Sequence, residues 1–274
     1  MKPKPVPRSW SDALHLWESS ARASGQPQTT IKTRRQHLGQ LARAFPHGPE
    51  SVDVAGLLRF VGQHDWATET RRGRYATYRV FFSCCAEHGL IASSPAAKLP
   101  RVKPGQARPR PVPDDVYADA VLTVPPRERV MMRLAAEAGL RRAEVAVVHV
   151  SRDMERDLGG WSLRVHGKGD KVRVVPLPAS LAIELRQRGP GFAFPGDDGG
   201  HLSPRWVGKL VTNALPDGWT MHTLRHRFAT RAYAHERDTF VVQELLGHAS
   251  PATTRRYVKI TSDALRRTVE SLAA

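Results

Sequence analysis

The chain is poor in cysteine and has no long apolar run, and each shortage excludes a class of protein. The two cysteines among its 274 residues are adjacent, at Cys84 and Cys85. Such a pair cannot form a disulfide framework or a cysteine-rich zinc module, so we expect buried thiols in a reducing compartment. No run of about 18 apolar residues occurs, which excludes a membrane-spanning helix. The basic N-terminus has no apolar segment behind it, so it does not indicate export.

Acidic side chains are also scarce, with 26 Asp and Glu against 42 Lys and Arg, and the formal net charge is +16. A charge of this sign favours a polyanion as partner, with nucleic acid first and an anionic membrane surface second. The basic residues occur throughout the chain instead of in one amphipathic segment, which disfavours the membrane. The sequence therefore predicts a cytoplasmic nucleic-acid-binding protein with no membrane partner.

A proline-rich basic segment, residues 101–113, divides the chain. Its composition predicts an extended linker between a helical domain, 1–100, and a second domain, 114–274. In the first domain we expect helices at about 9–23, 28–45, 50–63 and 68–88. In the second we expect helices at 114–122, 126–138 and 142–148, then a hairpin of strands 161–165 and 172–176, and further helices from 181 onward. The predicted fold class is mainly α with a small antiparallel β-sheet (α+β).

The fourth predicted helix has one apolar stripe, formed by Tyr78, Phe81, Phe82 and Cys85. Basic residues lie near its start and in the linker, and they are candidates for DNA binding: Arg71, Arg72, Arg74, Arg79, Arg108 and Arg110. A solvated basic face on a core helix is an equally good interpretation of the helical ones.

Three short motifs contain residue types that carry chemistry. Arg141 follows a glycine and precedes Glu144 by three residues, a spacing that by itself is typical of a surface ion pair. His222 and Arg225 are also three apart and would project from one face of a helix. His222 and His226 have a spacing that would also suit a metal pair, although Arg225 between them would repel a cation. In the third motif, Leu-Gly-His at 246–248 precedes Tyr257.

Taken together, these motifs resemble the tyrosine recombinase (phage integrase) family over residues 116–257. The resemblance implies an N-terminal core-binding domain and a catalytic domain, and it makes Glu144 an accessory acidic residue. It assigns catalytic roles to six residues of these motifs and of the Gly-Lys-Gly hairpin turn: Arg141, Lys168, His222, Arg225, His248 and Tyr257. About eight residues precede the first predicted helix, so we expect no arm-binding domain of the kind that many phage integrases carry.

The implied function is site-specific DNA recombination through a 3′-phosphotyrosine intermediate, without ATP, metal or any other cofactor. The implied partners are double-stranded DNA core sites bound by a homotetramer, with accessory DNA-bending or directionality factors. A phage or mobile-element integrase is the first role, and a Xer-like resolvase of chromosome dimers is the alternative. A catalytically silent DNA-binding regulator and a metallohydrolase that uses His222 and His226 are further alternatives.

The tail after the tyrosine, residues 258–274, contains an apolar stripe of Leu265, Val269 and Leu272. A helix this short needs a surface to dock on. In the resembling family that surface often belongs to a neighbouring protomer, and docking on its own domain is the alternative.

Overall fold

The computed structural model describes residues 5–105, 109–157, 159–167, 171–216 and 218–247. The described residues fall into two compact units, with the division between positions 106 and 107. The division falls inside the proline-rich segment, and the predicted domain bounds of 1–100 and 114–274 stay a prediction. The described chain is mainly helical with one antiparallel sheet, which confirms the predicted fold class.

The first unit is built from helices that lie close to their predicted positions. The α-helices within residues 5–105 are α1 (Ser11–Ala23), α2 (Gln28–Ala44), α3 (Val54–Gly62) and α4 (Thr68–Glu87), with short 3-10 helices at Arg8–Trp10, Pro49–Ser51 and Pro95–Lys98. The third α-helix begins later than predicted, because Asp53 is its N-cap and accepts a hydrogen bond from the Gly56 N–H at 2.6 Å. Residues 49–51 before it form a separate 3-10 turn.

The core of the first unit is aromatic. The apolar stripe predicted on α4 is confirmed, since Tyr78, Phe81, Phe82 and Cys85 are all buried. Trp10 stacks on Phe81 with ring centroids 5.6 Å apart. Both cysteines are free and buried, as expected. Burial, together with the neighbouring thiol, raises the pKa of Cys85 to about 12.

In the second unit, helices surround a three-stranded sheet. Its described α-helices are α5 (Asp114–Thr123), α6 (Pro126–Glu137), α7 (Arg142–Ala146), α8 (Val150–Asp153), α9 (Ala179–Arg186), α10 (Pro204–Ala214), α11 (Met221–Glu236) and α12 (Thr239–Leu246). Its strands are β1 (Met154–Asp157), β2 (Gly160–His166) and β3 (Val172–Leu177). Helix α6 is buried around most of its circumference and contacts α9, α10 and α11, so it is the central helix of this core.

The sheet has the order β1-β2-β3, with both pairs antiparallel. The predicted hairpin is its β2-β3 pair, in which Val165 lies opposite Arg173. Strand β1 was not predicted, because Met-Glu-Arg-Asp lacks the apolar alternation that indicates a strand. Its backbone pairs with β2, and Met154 lies opposite Leu163.

The proline-rich segment is less detached than its composition predicts. Val102 packs against the core of the first unit, and Val112 is buried in the core of the second. The Val112 N–H also donates to the Thr223 carbonyl of α11 at 3.3 Å. In the part of the chain that the structure describes, we find no helix long and apolar enough to span a bilayer.

Candidate active site

A left-handed glycine turn fixes Arg141 at the start of α7. Gly139 has a φ of +67°, which L side chains rarely adopt. A Cβ atom there would lie 2.5 Å from the ring of Phe228, so the position also lacks room for a side chain. Arg141 is the N-cap of α7, and its backbone N–H donates to Glu144 Oε2 at 2.8 Å. The backbone of Arg141 is therefore held from both sides.

The carboxylate of Glu144 lies at the centre of an arginine cluster, with 3% of its side chain exposed. It accepts hydrogen bonds from Arg141 Nη1 at 2.7 Å and from Arg173 Nη1 and Nη2 at 3.0 and 2.8 Å. Arg225 Nη1 lies 3.6 Å from Oε2. Burial disfavours the charged carboxylate, but the hydrogen bonds from Arg173 and Arg141 outweigh it and hold the pKa of Glu144 at about 2. Glu144 is therefore charged at neutral pH and holds the arginines together.

Arg225 reaches this cluster from α11. Its side chain is 5% exposed, whereas that of Arg141 is 39% exposed. Arg225 donates from Nη1 to the Gly139 carbonyl and from Nη2 to the Leu246 carbonyl, the second at 2.6 Å. These bonds join α11 to the glycine turn and to the end of α12. The cluster is thus buried at Arg225 and open at Arg141.

The C-terminal end of α12 is covered by arginine side chains. Arg173 Nε donates to the Leu245 carbonyl at 2.9 Å, Arg225 Nη2 to that of Leu246, and Arg141 Nη2 to that of Gly247 at 3.1 Å. Carbonyls at a helix C-terminus lack intrahelical partners and form the negative end of the helix dipole, so cations stabilise them. Gly247 ends the helix with a φ of +58°, directly before His248 in the sequence.

His222 lies one turn before Arg225 on α11, and its side chain is exposed. Desolvation by the surrounding protein lowers its pKa, and the charge of Arg225 lowers it further. His222 is therefore neutral at pH 7 and able to accept a proton. Its ring centroid lies 4.1 Å from that of His226. His226 Nδ1 accepts a hydrogen bond from the Arg110 backbone N–H at 3.2 Å, so this histidine binds the backbone of the proline-rich segment.

The remaining predicted catalytic residues, Lys168, His248 and Tyr257, lie outside the described residues, as do Arg108 and the tail 258–274. The structure thus brings together Arg141, Glu144 and Arg225, with His222 on the helix of Arg225. In the parts of the chain that it describes, no three His, Cys, Asp or Glu side chains are grouped to hold a metal ion.

The arginines predicted to bind DNA have different surroundings. Arg72 is exposed and pairs with Glu69 at 2.8 Å. The other three arginines on α4 are only partly exposed. Arg71 donates to the His64 carbonyl at 3.2 Å, and Arg79 donates to the Leu99 carbonyl at 2.8 Å. Arg74 lies 4.3 Å from the Trp66 ring centroid. Arg110 is exposed and lies over the Trp219 ring at 4.5 Å. DNA contacts by these residues stay a prediction.

Arg173 ends the Gly-Lys-Gly-x-Lys-x-Arg pattern around Lys168, but sequence reasoning alone assigned it no role in this site. On β3 it shares a face with Val175 and Leu177, which are both buried. The available signal was this alternation, because it places an arginine on the inward face of a strand, where a charge requires a partner.

Comparison with known proteins assigns this chain to a family. Residues 118–263, more than half of the chain, match the family model described as "Phage integrase family". A tyrosine recombinase XerC from Methylobacterium sp. (strain 4-46) is 35% identical over 208 residues, covering 67% of this chain and 64% of the relative. A tyrosine recombinase XerC from Xanthomonas campestris pv. campestris (strain B100) is 33% identical over 257 residues, covering 83% and 77%. The chain thus spans just under two thirds of the Methylobacterium relative and over three quarters of the Xanthomonas one.

Among solved structures, that of a lambda integrase dimer bound to a COC′ core site is similar, with a TM-score of 0.72. The match covers 90% of this chain and 76% of that chain, at 19% identity, and shows a shared fold. The fold and the family match together define a protein with a tyrosine recombinase catalytic unit. The chain belongs to the phage integrase family of tyrosine recombinases, which are DNA-cleaving and rejoining enzymes.

Proposed function

We propose that this chain is a site-specific DNA recombinase that cuts one strand at each core site and rejoins it through a 3′-phosphotyrosine at Tyr257. The observation that supports this most directly is the meeting of Arg141 and Arg225 at Glu144. Two guanidinium groups at one place form a site for a phosphodiester, and the exposed side of Arg141 leaves it accessible.

The arginines act on the transition state. When the Tyr257 oxygen attacks phosphorus, negative charge increases on the two non-bridging oxygens. Arg141 and Arg225 stabilise that charge with planar forks that stay protonated at every working pH. Glu144 does not touch the phosphate in this scheme. Its role is to hold the two guanidinium groups in position before the substrate binds.

Protons move at two oxygens. Tyrosine has a pKa of about 10, so its phenol must lose a proton as it attacks, and His222 or His248 can accept that proton. The bond from phosphorus to the 5′ oxygen breaks, and Lys168 donates a proton to this leaving group. The phosphotyrosine retains the bond energy, so attack by a 5′ hydroxyl reseals the strand without ATP. The arginines supply the positive charge that a metal ion would otherwise provide.

The proposed partner is double-stranded DNA carrying two core sites, bound by four protomers that exchange strands in pairs. The basic residues predicted for DNA contact are Arg71, Arg72, Arg74, Arg79, Arg108 and Arg110. We propose a cytoplasmic location, with the protein on the nucleoid when it is bound to DNA. Accessory bending or directionality factors belong to the same proposal.

Two cellular roles use this chemistry. The resemblance of the motifs to phage integrases favours integration of a phage or mobile element, whereas the similarity to proteins named XerC supports a Xer-like role in resolving chromosome dimers. The discriminating substrates are paired sites from the DNA flanking the gene and paired sites from the host chromosome terminus. Recombination of the first pair alone supports the integrase, and recombination of the second pair alone supports the resolvase.

A covalent-trapping assay tests the chemistry. The probe is a nicked suicide duplex built on the core sequence that the wild-type protein selects from a randomised duplex pool. We expect the wild-type protein to form a covalent protein–DNA adduct and Tyr257→Phe to form none while binding the duplex with unchanged affinity, since only the attacking oxygen is removed. An adduct with Tyr257→Phe would assign the nucleophile elsewhere. Binding without any wild-type adduct would support the silent regulator.

A further inference from the structure

We propose that Arg173 is a positioning residue for strand cleavage. Its guanidinium joins Glu144 to the end of α12, and so sets where Arg141, Arg225 and the last residues of α12 meet. This inference rests on the proposed function, since the groups that it positions are the ones assigned to the phosphate.

The contacts of Arg173 are directed entirely at the protein. Nη1 and Nη2 form a two-bond fork on Glu144 at 3.0 and 2.8 Å, and Nε donates to the Leu245 carbonyl at 2.9 Å. The side chain is 8% exposed. A guanidinium can bind a carboxylate with one edge and a carbonyl with its remaining N–H because its donors are planar and fixed in direction. Arg173 therefore fixes the distance between the Glu144 carboxylate and the C-terminal end of α12.

Arg141 and Arg225, the two described groups assigned to the phosphate, both contact the groups that Arg173 holds, namely Glu144 and the end of α12. Glu144 binds Arg141 directly and lies 3.6 Å from Arg225. The helix end that Arg173 holds also accepts from Arg225 at Leu246 and from Arg141 at Gly247. A displacement of Arg173 would thus be transmitted to both arginines and to the backbone that precedes His248.

Arg173 also ties the hairpin to the cluster. It lies on β3, opposite Val165 of β2, and these two strands flank the turn that contains Lys168 in the sequence. A side chain on β3 that bonds to α7 through Glu144 and to α12 through Leu245 fixes the strand relative to both helices. The hairpin and the arginine cluster therefore share one anchor.

The second unit offers a matched control for a purely structural effect. Arg133 on α6 is also largely buried, with 11% of its side chain exposed, and it forms a two-bond fork on Glu137 and a bond to Glu184. Arg133 also donates to Ser180 Oγ at 2.8 Å, and its described partners do not include Arg141, Glu144 or Arg225. Arg133→Lys thus removes a comparable buried two-bond fork and leaves Arg141, Glu144 and Arg225 unchanged.

The experiment compares Arg173→Lys, Arg173→Met and Arg133→Lys, each as the full-length chain. Three quantities are measured: the Kd for the selected core duplex by gel shift, the rate of covalent adduct formation on the nicked suicide duplex at saturating protein, and the urea midpoint. We expect Kd to stay within about threefold in all three variants. We expect the cleavage rate to fall by about tenfold in Arg173→Lys and about 100-fold in Arg173→Met, the scale for loss of a positioning contact, and to change little in Arg133→Lys.

A second substrate distinguishes a loss of phosphate stabilisation by Arg141 and Arg225 from a loss of the general acid. In a duplex with sulfur at the bridging 5′ position, the leaving group departs without a proton. We expect this duplex to leave the Arg173→Met defect in place, because the displaced arginines still fail to stabilise the phosphate. A merely destabilised protein would not combine an unchanged Kd with a slow chemical step on both duplexes.

Two results would overturn the inference while the proposed function stands. One is wild-type cleavage by Arg173→Met, and the other is a rate loss in Arg133→Lys equal to that in Arg173→Met at the same urea midpoint. If Arg173→Met does not fold, Arg173→Lys is compared with Glu144→Gln and with the double variant of the two, and strictly multiplicative effects on the cleavage rate would contradict the coupling. A wild-type chain that binds the duplex but forms no adduct overturns the proposed function, and this inference with it.

Discussion

Because Glu144 is charged in the native state, we expect the free energy of unfolding to fall as the pH is lowered into the acid range. Its folded-state pKa of about 2 lies below the value of an unfolded glutamate, so the charged form stabilises the native state. The stabilisation is complete above about pH 4.5 and is lost as pH falls toward 2, with a size on the order of 3 kcal/mol. We expect the difference in unfolding free energy between wild type and Glu144→Gln to shrink over that range, as measured by urea titration from pH 7 to 2.5. A difference independent of pH would contradict the account.

The glycine turn before Arg141 yields a second prediction. In Gly139→Ala the new methyl group would meet the Phe228 ring in a backbone conformation that already disfavours alanine. We expect a loss of about 2 kcal/mol or more in stability and slower adduct formation, because Arg141 must shift. Gly189→Ala is the control, since Gly189 also has a positive φ but has nothing within 4 Å of the added atom. Equal losses in the two variants would show that backbone strain alone, without the steric clash, explains the effect.

Single residues also show how far the sequence can be interpreted. Arg141, Glu144, His222 and Arg225 could be selected in advance because each occurs in a short motif with fixed spacing. The convergence of both arginines on Glu144 could not, since Arg225 on α11 is distant in sequence from Glu144 on α7 and meets it only in the folded chain. Arg173 was missed for the same reason: its partners, Glu144 and Leu245, are distant in sequence and have no shared motif.

At the scale of elements, the helices with clear apolar stripes were predicted well and the boundaries set by local hydrogen bonds were not. Asp53 moves the start of α3, and Arg141 ends the glycine turn as the cap of α7. Strand β1 exists because β2 offers a free edge, a tertiary effect that its own four residues do not encode. Residue propensity and apolar pattern describe only a segment's own residues, so they do not predict an element, such as β1, that forms because of its neighbour.

The hairpin turn between β2 and β3 provides the sharpest chemical prediction. If Lys168 is the general acid, Lys168→Ala should cleave normal DNA slowly, by about 100-fold or more, and recover on DNA with bridging 5′ sulfur. The measurement is the rate of adduct formation on the two matched duplexes. Lys171→Ala is the control from the same hairpin, and it should cleave both duplexes at the wild-type rate. Absence of rescue in Lys168→Ala would reassign Lys168 to a phosphate or base contact.

At the scale of the whole molecule, the net charge of +16 and the two-unit organisation fit a protein that binds a long polyanion. Composition could predict this partner because electrostatic attraction to phosphates needs charge more than precise geometry. It could not predict the packed valines of the proline-rich segment. Val102 and Val112 each pack on a different core, so two apolar residues anchor a segment whose composition is otherwise that of a free linker.

The tail yields the last prediction, which concerns assembly. Leu265, Val269 and Leu272 form an apolar stripe that needs a docking surface, and we expect that surface to belong to a neighbouring protomer. Deleting residues 262–274 should then leave binding to one core site nearly intact and strongly reduce recombination, because a contact between protomers is lost and no DNA contact is. Gel-shift titration on one core site beside a two-site recombination assay measures both effects. The variant Leu265→Ser should reproduce the deletion, and Ser271→Ala should not. Equal recombination by the truncated and full-length proteins would refute docking in trans, whereas a truncated chain that unfolds would assign the stripe to its own domain.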